Sequence, residues 1–348
     1  MSESQAELPP LEERPLVTFA LFAYNQEKYI REAIEGAFAQ TYEPLEIILS
    51  DDCSTDRTFE IMEEMAAGYS GNHKVRLRRS EINLGTAQHV YAVSVLARGS
   101  LLVVAAGDDI SAPNRSKELV DIWIGEESPV ACIHSAATAI TDNSDNGVYR
   151  PARTPTLDSK SQRLDLLHAD KLPFLSPTCA YSIELFRRYD PLIGGSIIED
   201  GVMSLRSLLS GRVISVDKPL VRIRVLDETA GTGYSVDSPL RWNRFVLSRM
   251  ISYANKLKDI SEAKVDDELA LRLEKHYAKK FARLSLFLVK PHQKLSILRR
   301  VLFIIRYIIF YPSSASMANR IADAINLAGF AESNKFKFFV RLYKASRG

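Results

Sequence analysis

Cysteine is scarce, with three residues in 348. Cys53, Cys132 and Cys179 are far apart, odd in number and without a second Cys or His at metal-ligand spacing. That excludes a disulfide framework and a zinc site, and it fits a reducing compartment. Glycine and proline, at 16 and 15, are too few for a fibrous or low-complexity chain. The start, Met1 to Pro15, lacks the basic-then-apolar order of a secretory signal. It is polar, acidic and proline-containing, and residues 1–14 read as a disordered leader of a cytoplasmic protein. Acid is missing between Lys275 and Ala322, which hold ten Lys or Arg. The net charge of +2 therefore leaves about −8 on the remainder, a strongly polarised molecule.

What is present is ordinary in bulk, 46% hydrophobic and 25% charged, so function must come from order along the chain. Leu16 to Phe22 is a short apolar run broken by Tyr24-Asn25, and it reads as a buried strand. Between Glu27 and Ala39, apolar residues recur at helical spacing. Leu45 to Leu49 is the next strand and Asp56 to Ala67 the next helix. Val75 to Arg79, Thr86 to Ala97 and Leu101 to Ala106 continue as strand, helix, strand. This alternation predicts a parallel sheet with crossover helices, whose ligand crevice lies beyond the carboxyl ends of the strands. Asn25, Asp51, Asp52, Asp108 and Asp109 all fall at such ends. Beyond Pro113 the spacing predicts a helix over Lys117 to Ile124, a strand over Val130 to Ala137, and a helix closed by Gly211. From Ser238 the chain reads as helical and separate in character, with one long helix from Ile260 to Val289.

Three acidic stretches bear chemistry. Ser54, Thr55 and Asp56 suffice to cap the helix after Leu49; the two acids before them are surplus to capping, and a carboxylate there could accept a nucleobase N–H or a ribose hydroxyl. Gly107-Asp108-Asp109 brings two like charges to the end of an apolar strand. An Asx turn is one reading, and hard oxygen ligands for Mg²⁺ or Mn²⁺ shared with phosphate are the other. Glu199-Asp200 stands at a helix start, where the macrodipole stabilises negative charge. Capping and proton acceptance are both open there, since Gly194-Gly195 leaves room for a substrate and the dipole keeps a carboxylate ionised.

Taken in order, Phe22-Ala23-Tyr24-Asn25 with Tyr29-Ile30, Ser50-Asp51-Asp52-Cys53-Ser54-Thr55-Asp56-Arg57-Thr58, Asn83-Leu84-Gly85, Ala97-Arg98-Gly99 and Gly107-Asp108-Asp109 resemble the family 2 glycosyltransferases of the GT-A fold. The similarity covers about Pro15 to Arg224, and Glu199-Asp200 matches the later acidic motif. The resemblance implies an α/β fold, a GT-A-type, mostly parallel, Rossmann-like sheet flanked by helices with a C-terminal helical extension. It implies a catalytic domain over 15–235, with a nucleotide-sugar half at 15–110 and an acceptor half at 111–235, before a helical basic region at 236–348.

The implied activity is transfer of a sugar from a nucleoside diphosphate sugar to an acceptor hydroxyl with inversion. Asp51 and Asp52 would face the nucleobase and ribose, opposite Ala23, Tyr24 and Asn25. Asp108, with Asp109, would hold Mn²⁺ or Mg²⁺ against the diphosphate, and Asp200 would be the general base with Glu199 beside it. Two departures stand out. Ala106 occupies the first acidic position of the family's frequent Asp-x-Asp, and Val221-Arg222-Ile223-Arg224 replaces a frequent Tyr-Arg-x-His, which makes Arg224 the expected cation near the diphosphate. Asp227 to Tyr234 suits a lid or a plain linker. His134-Ser135, read as a strand end, and Pro173 to Tyr181 are candidates for the acceptor side.

Lys294 to Tyr311 combines apolar residues with Arg299, Arg300 and Arg306, and its longest charge-free stretch is too short to span a bilayer. It suits an anionic membrane interface. That predicts peripheral association with the inner face and a lipid-linked or polysaccharide acceptor, a glycan or glycolipid. Burial against the catalytic domain or a homo-oligomeric partner is the competing reading. No nucleic-acid module accompanies the patch. A nucleotidyltransferase of sugar phosphates would want a glycine-rich basic loop after the first strand, which is absent. A non-catalytic nucleotide-binding scaffold is the third reading.

Overall fold

Val17, Phe19 and Leu21 are fully buried on one face of the first strand, and Thr18 and Ala20 on the other. A strand covered on both sides belongs in the middle of a sheet. In a computed structural model of the chain, the described residues are 9–126, 128–141, 144–150, 156–157, 159–169, 175–192, 200–225, 239–263 and 267–285. Glu199, Gly194-Gly195, the segment from Asp227 to Tyr234 and the basic stretch from Lys294 to Tyr311 lie outside them. So do the first eight positions of the expected leader; Leu11–Glu13 forms a 3-10 turn.

The first half alternates as β1 (Val17–Ala23), α1 (Ile30–Phe38), β2 (Leu45–Asp51), α2 (Thr58–Ala67), β3 (Lys74–Arg79), α3 (Thr86–Leu96) and β4 (Leu101–Ala106). After it come β5 (Ile110–Ser111), α4 (Arg115–Ile124), β6 (Val130–Thr141), β7 (Ser144–Arg150), α5 (Lys160–Ala169), β8 (Cys179–Ser182) and α6 (Glu184–Arg188). The described chain continues with α7 (Asp200–Ser210), β9 (Arg212–Arg224), α8 (Pro239–Glu262) and α9 (Asp267–Ser285). Among the described residues these strands form one nine-stranded sheet in the order β3-β2-β1-β4-β8-β6-β9-β5, with β7 paired to β6. β1 to β4 are parallel. β8 enters antiparallel to both neighbours, and β9 runs parallel to β6. The register sets Ala23 opposite Asp51, and Phe22 opposite Ala106, so the loops after β1, β2 and β4 open on one rim.

Two layers cover the sheet. Val17, Phe19 and Leu21 pack with Ile30, Ile34, Met62, Leu119 and Val120 from α1, α2 and α4. On the opposite face, Ala20, Ile48, Leu102 and Val104 meet Val93 of α3, Phe186 of α6 and Leu205 of α7, together with Leu257 of α8 and Leu273 of α9. Gly99 explains its motif: a Cβ there would lie 2.4 Å from the backbone nitrogen of Thr18, so only glycine lets this turn rest on β1.

The helix expected from Ile260 to Val289 is two helices. α8 ends at Glu262 and α9 starts with Asp267 and Glu268, acids that favour a new N-terminus. The break lets both helices bury their apolar stripes. The described part of the region that read as separate in character, α8 and α9, thus contributes to the same core as the sheet. It is also joined by charge: Arg206 of α7 makes a two-pronged pair with Asp259 of α8, at 2.8 and 2.9 Å, both side chains almost wholly enclosed.

Lys256 of α8 is a second buried cation, 5% exposed, with its ammonium 5.0 and 5.3 Å from the ring centres of Tyr277 and Tyr253. Burial, helped by Arg249, pulls its pKa from 10.5 to about 7. Between those values the unfolded chain holds a proton that the folded chain has released, so this residue makes stability rise with pH from about 7 to about 10.5. Lys256→Met is expected to flatten that rise and to melt higher than wild type at pH 6, as thermal melts across the window will read.

Candidate active site

The rim is built by two turns that fasten each other. Asn25 and Cys53 hold left-handed backbone, with φ of 52° and 64°. The Asn25 N–H donates to Ser54 Oγ at 2.8 Å, and Asn25 Oδ1 accepts from the Thr55 N–H at 2.8 Å. Gln26 N–H reaches Thr58 Oγ1, Glu27 N–H reaches Asp56, and Arg57 N–H reaches Glu27. Ser54 and Thr55 are thus engaged by Asn25 and Asp51 and do not cap α2 as expected; of the three, only Asp56 meets its first turn, accepting the Thr58 N–H at 3.0 Å, and the N-cap position, Arg57, makes no side-chain cap.

The two acids of β2 part company. Asp51 is fully buried; it accepts from Ser54 N–H at 2.9 Å and from the Ser54 hydroxyl, and Arg79 lies 3.4 Å away. Its carboxylate is absorbed by the turn. Asp52 instead lines a cleft of about 570 Å³. Its two oxygens accept the N–H groups of Leu84 and Gly85 at 2.9 and 2.8 Å, which gives the Asn83-Leu84-Gly85 motif a physical role. Ala23 and Tyr24 line the same cleft, with Phe22, Asn83, His89, Ser176 and Pro177 among the other walls.

The second acidic pair is joined to the cleft wall through Gln26 and does not itself line it. Gln26, on the cleft wall, hydrogen-bonds Asp108. Asp109, 6% exposed, accepts the backbone N–H of Arg224 at 2.9 Å. Burial and the neighbouring Asp108 push its carboxyl up to about 8, and burial raises Asp108 as well. Arg224 donates to the Asp108 carbonyl at 3.2 Å, pairs with Glu32 at 2.6 Å, and lies 4.5 Å above the Tyr29 ring. The expected cation is thus beside the acids and already engaged. Two crowded carboxyls and a partly dry setting suit a divalent ion, because an added positive charge relieves both burial and repulsion. Among the described residues no three His, Cys, Asp or Glu gather to hold a metal, so an ion here would draw further oxygens from water or a ligand, the usual habit of Mg²⁺ and Mn²⁺.

Asp200 opens α7 and accepts the Ser176 N–H at 2.9 Å. Ser176 and Pro177 are cleft walls, so the acid expected as base adjoins the same space. His134 and Ser135 are not at a strand end. β6 continues to Thr141, both residues are buried, and burial pulls His134 to about 4; the neighbouring strands β8 and β9 enclose them.

His89 is a wall residue that the sequence did not single out. It lies 2.6 Å from Ser50 Oγ and meets the Phe22 ring edge-on at 5.1 Å. On α3 it follows the spacing of buried Val90 and Val93, so periodicity alone marks it as core. Its place one turn after the Asn83-Leu84-Gly85 motif is the signal that could have found it.

The sheet and its flanking helices match solved proteins. S. aureus TarS, residues 1–349 crystallised with UDP, superposes with a TM-score of 0.55 at 16% identity over 90% of each chain. The mannosyltransferase PcManGT of Pyrobaculum calidifontis, solved with GDP-Man and Mn²⁺, superposes at 0.51 and 15% identity, over 95% of this chain and 85% of its own. At that identity the likeness shows the fold alone, the GT-A type. An uncharacterized protein of Mycobacterium tuberculosis is 34% identical over 131 residues, 37% of each chain. The succinoglycan biosynthesis protein ExoO of Rhizobium meliloti is 32% identical over 113 residues, 32% of this chain and 31% of its own. These matches span little more than a third of the curated relatives. Residues 18–189 match the family described as Glycosyl transferase family 2, and that segment is a family 2 glycosyltransferase domain.

Proposed function

We propose that the chain transfers a sugar, with inversion, from a nucleoside diphosphate sugar to an acceptor hydroxyl. The observation that carries this is one cleft lined by Ala23, Tyr24 and Asp52, adjoined by the Asp108-Asp109 pair through Gln26 and by Asp200 through Ser176. The binding of UDP by TarS and of GDP-Man with Mn²⁺ by PcManGT supports a nucleotide-sugar donor and a metal.

Ala23, Tyr24, Asn25 and Asp52 hold the nucleoside, and Asp51 acts behind them by fixing the turn. Asp108 and Asp109 hold Mn²⁺ or Mg²⁺, which supplies positive charge for the departing diphosphate. Arg224 keeps a second cation beside the acids. Asp200 takes the proton of the acceptor hydroxyl as its oxygen bonds to the anomeric carbon. The bond from that carbon to the diphosphate breaks on the opposite face, and its electron pair leaves with the phosphate. Glu199 assists Asp200.

Calorimetry with UDP, GDP, CDP and ADP in the presence of Mn²⁺ tests the donor site. Binding is expected to need the ion and to weaken by about tenfold or more in Asp108→Asn. Failure of all four nucleotides to bind would remove the reading at its first step.

The acceptor is a lipid-linked or growing polysaccharide at the cytoplasmic membrane face, a reading supported by the likeness to ExoO and by the acid-free basic stretch from Lys275 to Ala322. No helix among the described residues is long and apolar enough to cross a membrane. Co-sedimentation with phosphatidylserine vesicles is expected, and to fall several-fold when residues 293–311 are deleted; unchanged binding would count against a membrane role for that stretch.

A further inference from the structure

The hydrogen bonds around His89 decide which of its nitrogens carries the proton. Ser50 is fully buried, and its hydroxyl has two neighbours, Arg78 Nη1 at 3.0 Å and His89 Nε2 at 2.6 Å. A guanidinium only donates, and if the Ser50 oxygen also accepted from His89 its own buried proton would have no acceptor among the described residues; pairing that proton makes His89 Nε2 its acceptor. A neutral imidazole has one N–H, which must then sit on Nδ1. Burial, with Arg78 adding to it against Asp52, holds the ring neutral by pulling it down to about 4. Among the described residues no protein group accepts from Nδ1, and the atom is not among the sealed polar atoms without partners. The donor therefore opens to the cleft that His89 lines. Beside it, both oxygens of Asp52 already accept backbone N–H groups.

We propose that His89 reads the donor base, its Nδ1–H facing C4 of a pyrimidine or C6 of a purine and selecting the carbonyl oxygen that uracil and guanine carry there over the amino group of cytosine and adenine. The inference rests on the donor reading above. An amino group at this position would set two N–H donors against each other and leave a buried donor unpaired, a mismatch that a polar pocket rejects strongly. Arg78 and Ser50 are positioning residues: they never touch the base but hold the tautomer.

The test is calorimetry of the full chain with Mn²⁺ and the four nucleoside diphosphates, for wild type, His89→Gln and His89→Asn. A Gln amide reaches the place of Nε2 and keeps Ser50 satisfied without a donor at Nδ1, whereas an Asn amide falls near Nδ1. Wild type is expected to favour UDP or GDP over CDP and ADP by about tenfold or more. His89→Gln should level that preference, and His89→Asn should keep most of it. Side-chain ¹⁵N spectra of the wild type should show the proton on Nδ1, with a shift when the preferred nucleotide binds; this arm needs no variant to fold. A proton on Nε2, or an unchanged preference in a folded His89→Gln, overturns the proposal and leaves the donor site standing. If no nucleotide binds to wild type, the donor reading falls and this one with it.

Discussion

Asp200→Asn is expected to lower turnover by about 10²- to 10⁴-fold, the usual contribution of a positioned general base, while donor affinity stays within about twofold, well below one unit of 1.4 kcal/mol. The separation is a consequence of geometry. Asp200 Oδ1 accepts the Ser176 N–H, and an asparagine oxygen can do the same, so Ser176 and Pro177 keep their place on the cleft wall. What the amide cannot do is take a proton from a hydroxyl. Single-turnover transfer and nucleotide calorimetry on the same preparation will read the two quantities. Wild-type turnover in the variant would move the base elsewhere; absence of transfer by the wild type itself, with the nucleotide still bound, would return the chain to the scaffold reading.

Asp259→Ala is expected to cost about 3–5 kcal/mol of stability, the range for breaking a buried pair by removing one partner. The guanidinium of Arg206 is 1% exposed on its side chain. Without Asp259 it keeps the Asp190 carbonyl at 2.8 Å and the Tyr189 ring at 5.0 Å, neither of which offsets a full charge. Urea unfolding of the whole chain should show one transition at a lower midpoint, since Met250, Leu257 and Leu273 share a core with Ala20 and Val104. A separate early transition, with the remainder unmoved, would mean that α8 and α9 fold apart from the sheet. Replacing both partners, Arg206→Met with Asp259→Leu, should recover most of the loss, because an apolar pair of similar size needs no compensation.

These two residues differ in how far the sequence disclosed them. Asp200 was visible because a helix start announces itself by composition and by the Gly211 that closes it. Asp259 was not, because its partner is 53 positions away and nothing local marks a salt bridge. The same division runs through the fold. β1, β2 and β4 were legible as apolar runs, since strands buried on both faces have no alternative composition. β8 and β9 are not legible in this way: β8 has four residues, and β9 carries Pro219 at a register shift against Ala136, where the missing N–H is tolerated. Adjacent acids posed a subtler problem. Asp51 and Asp52 look alike in sequence, yet the first is consumed by Ser54 and Arg79, and only the second meets the cleft. The turn just after them passes through Cys53 at positive φ, a conformation that glycine, asparagine and aspartate favour and a cysteine does not announce.

That pair of left-handed residues has a kinetic consequence. The loops after β1 and β2 are latched to one another by Asn25, Ser54, Thr55 and Asp56, so the rim holds its shape with the cleft empty. A ligand arriving there has neither of these two loops to order, and the entropy that folding them would forfeit on association is already lost when the protein folds. Encounter should then approach the rate of docking between rigid partners, leaving the residence time of the nucleotide, and not the shaping of its seat, to distinguish one donor from another.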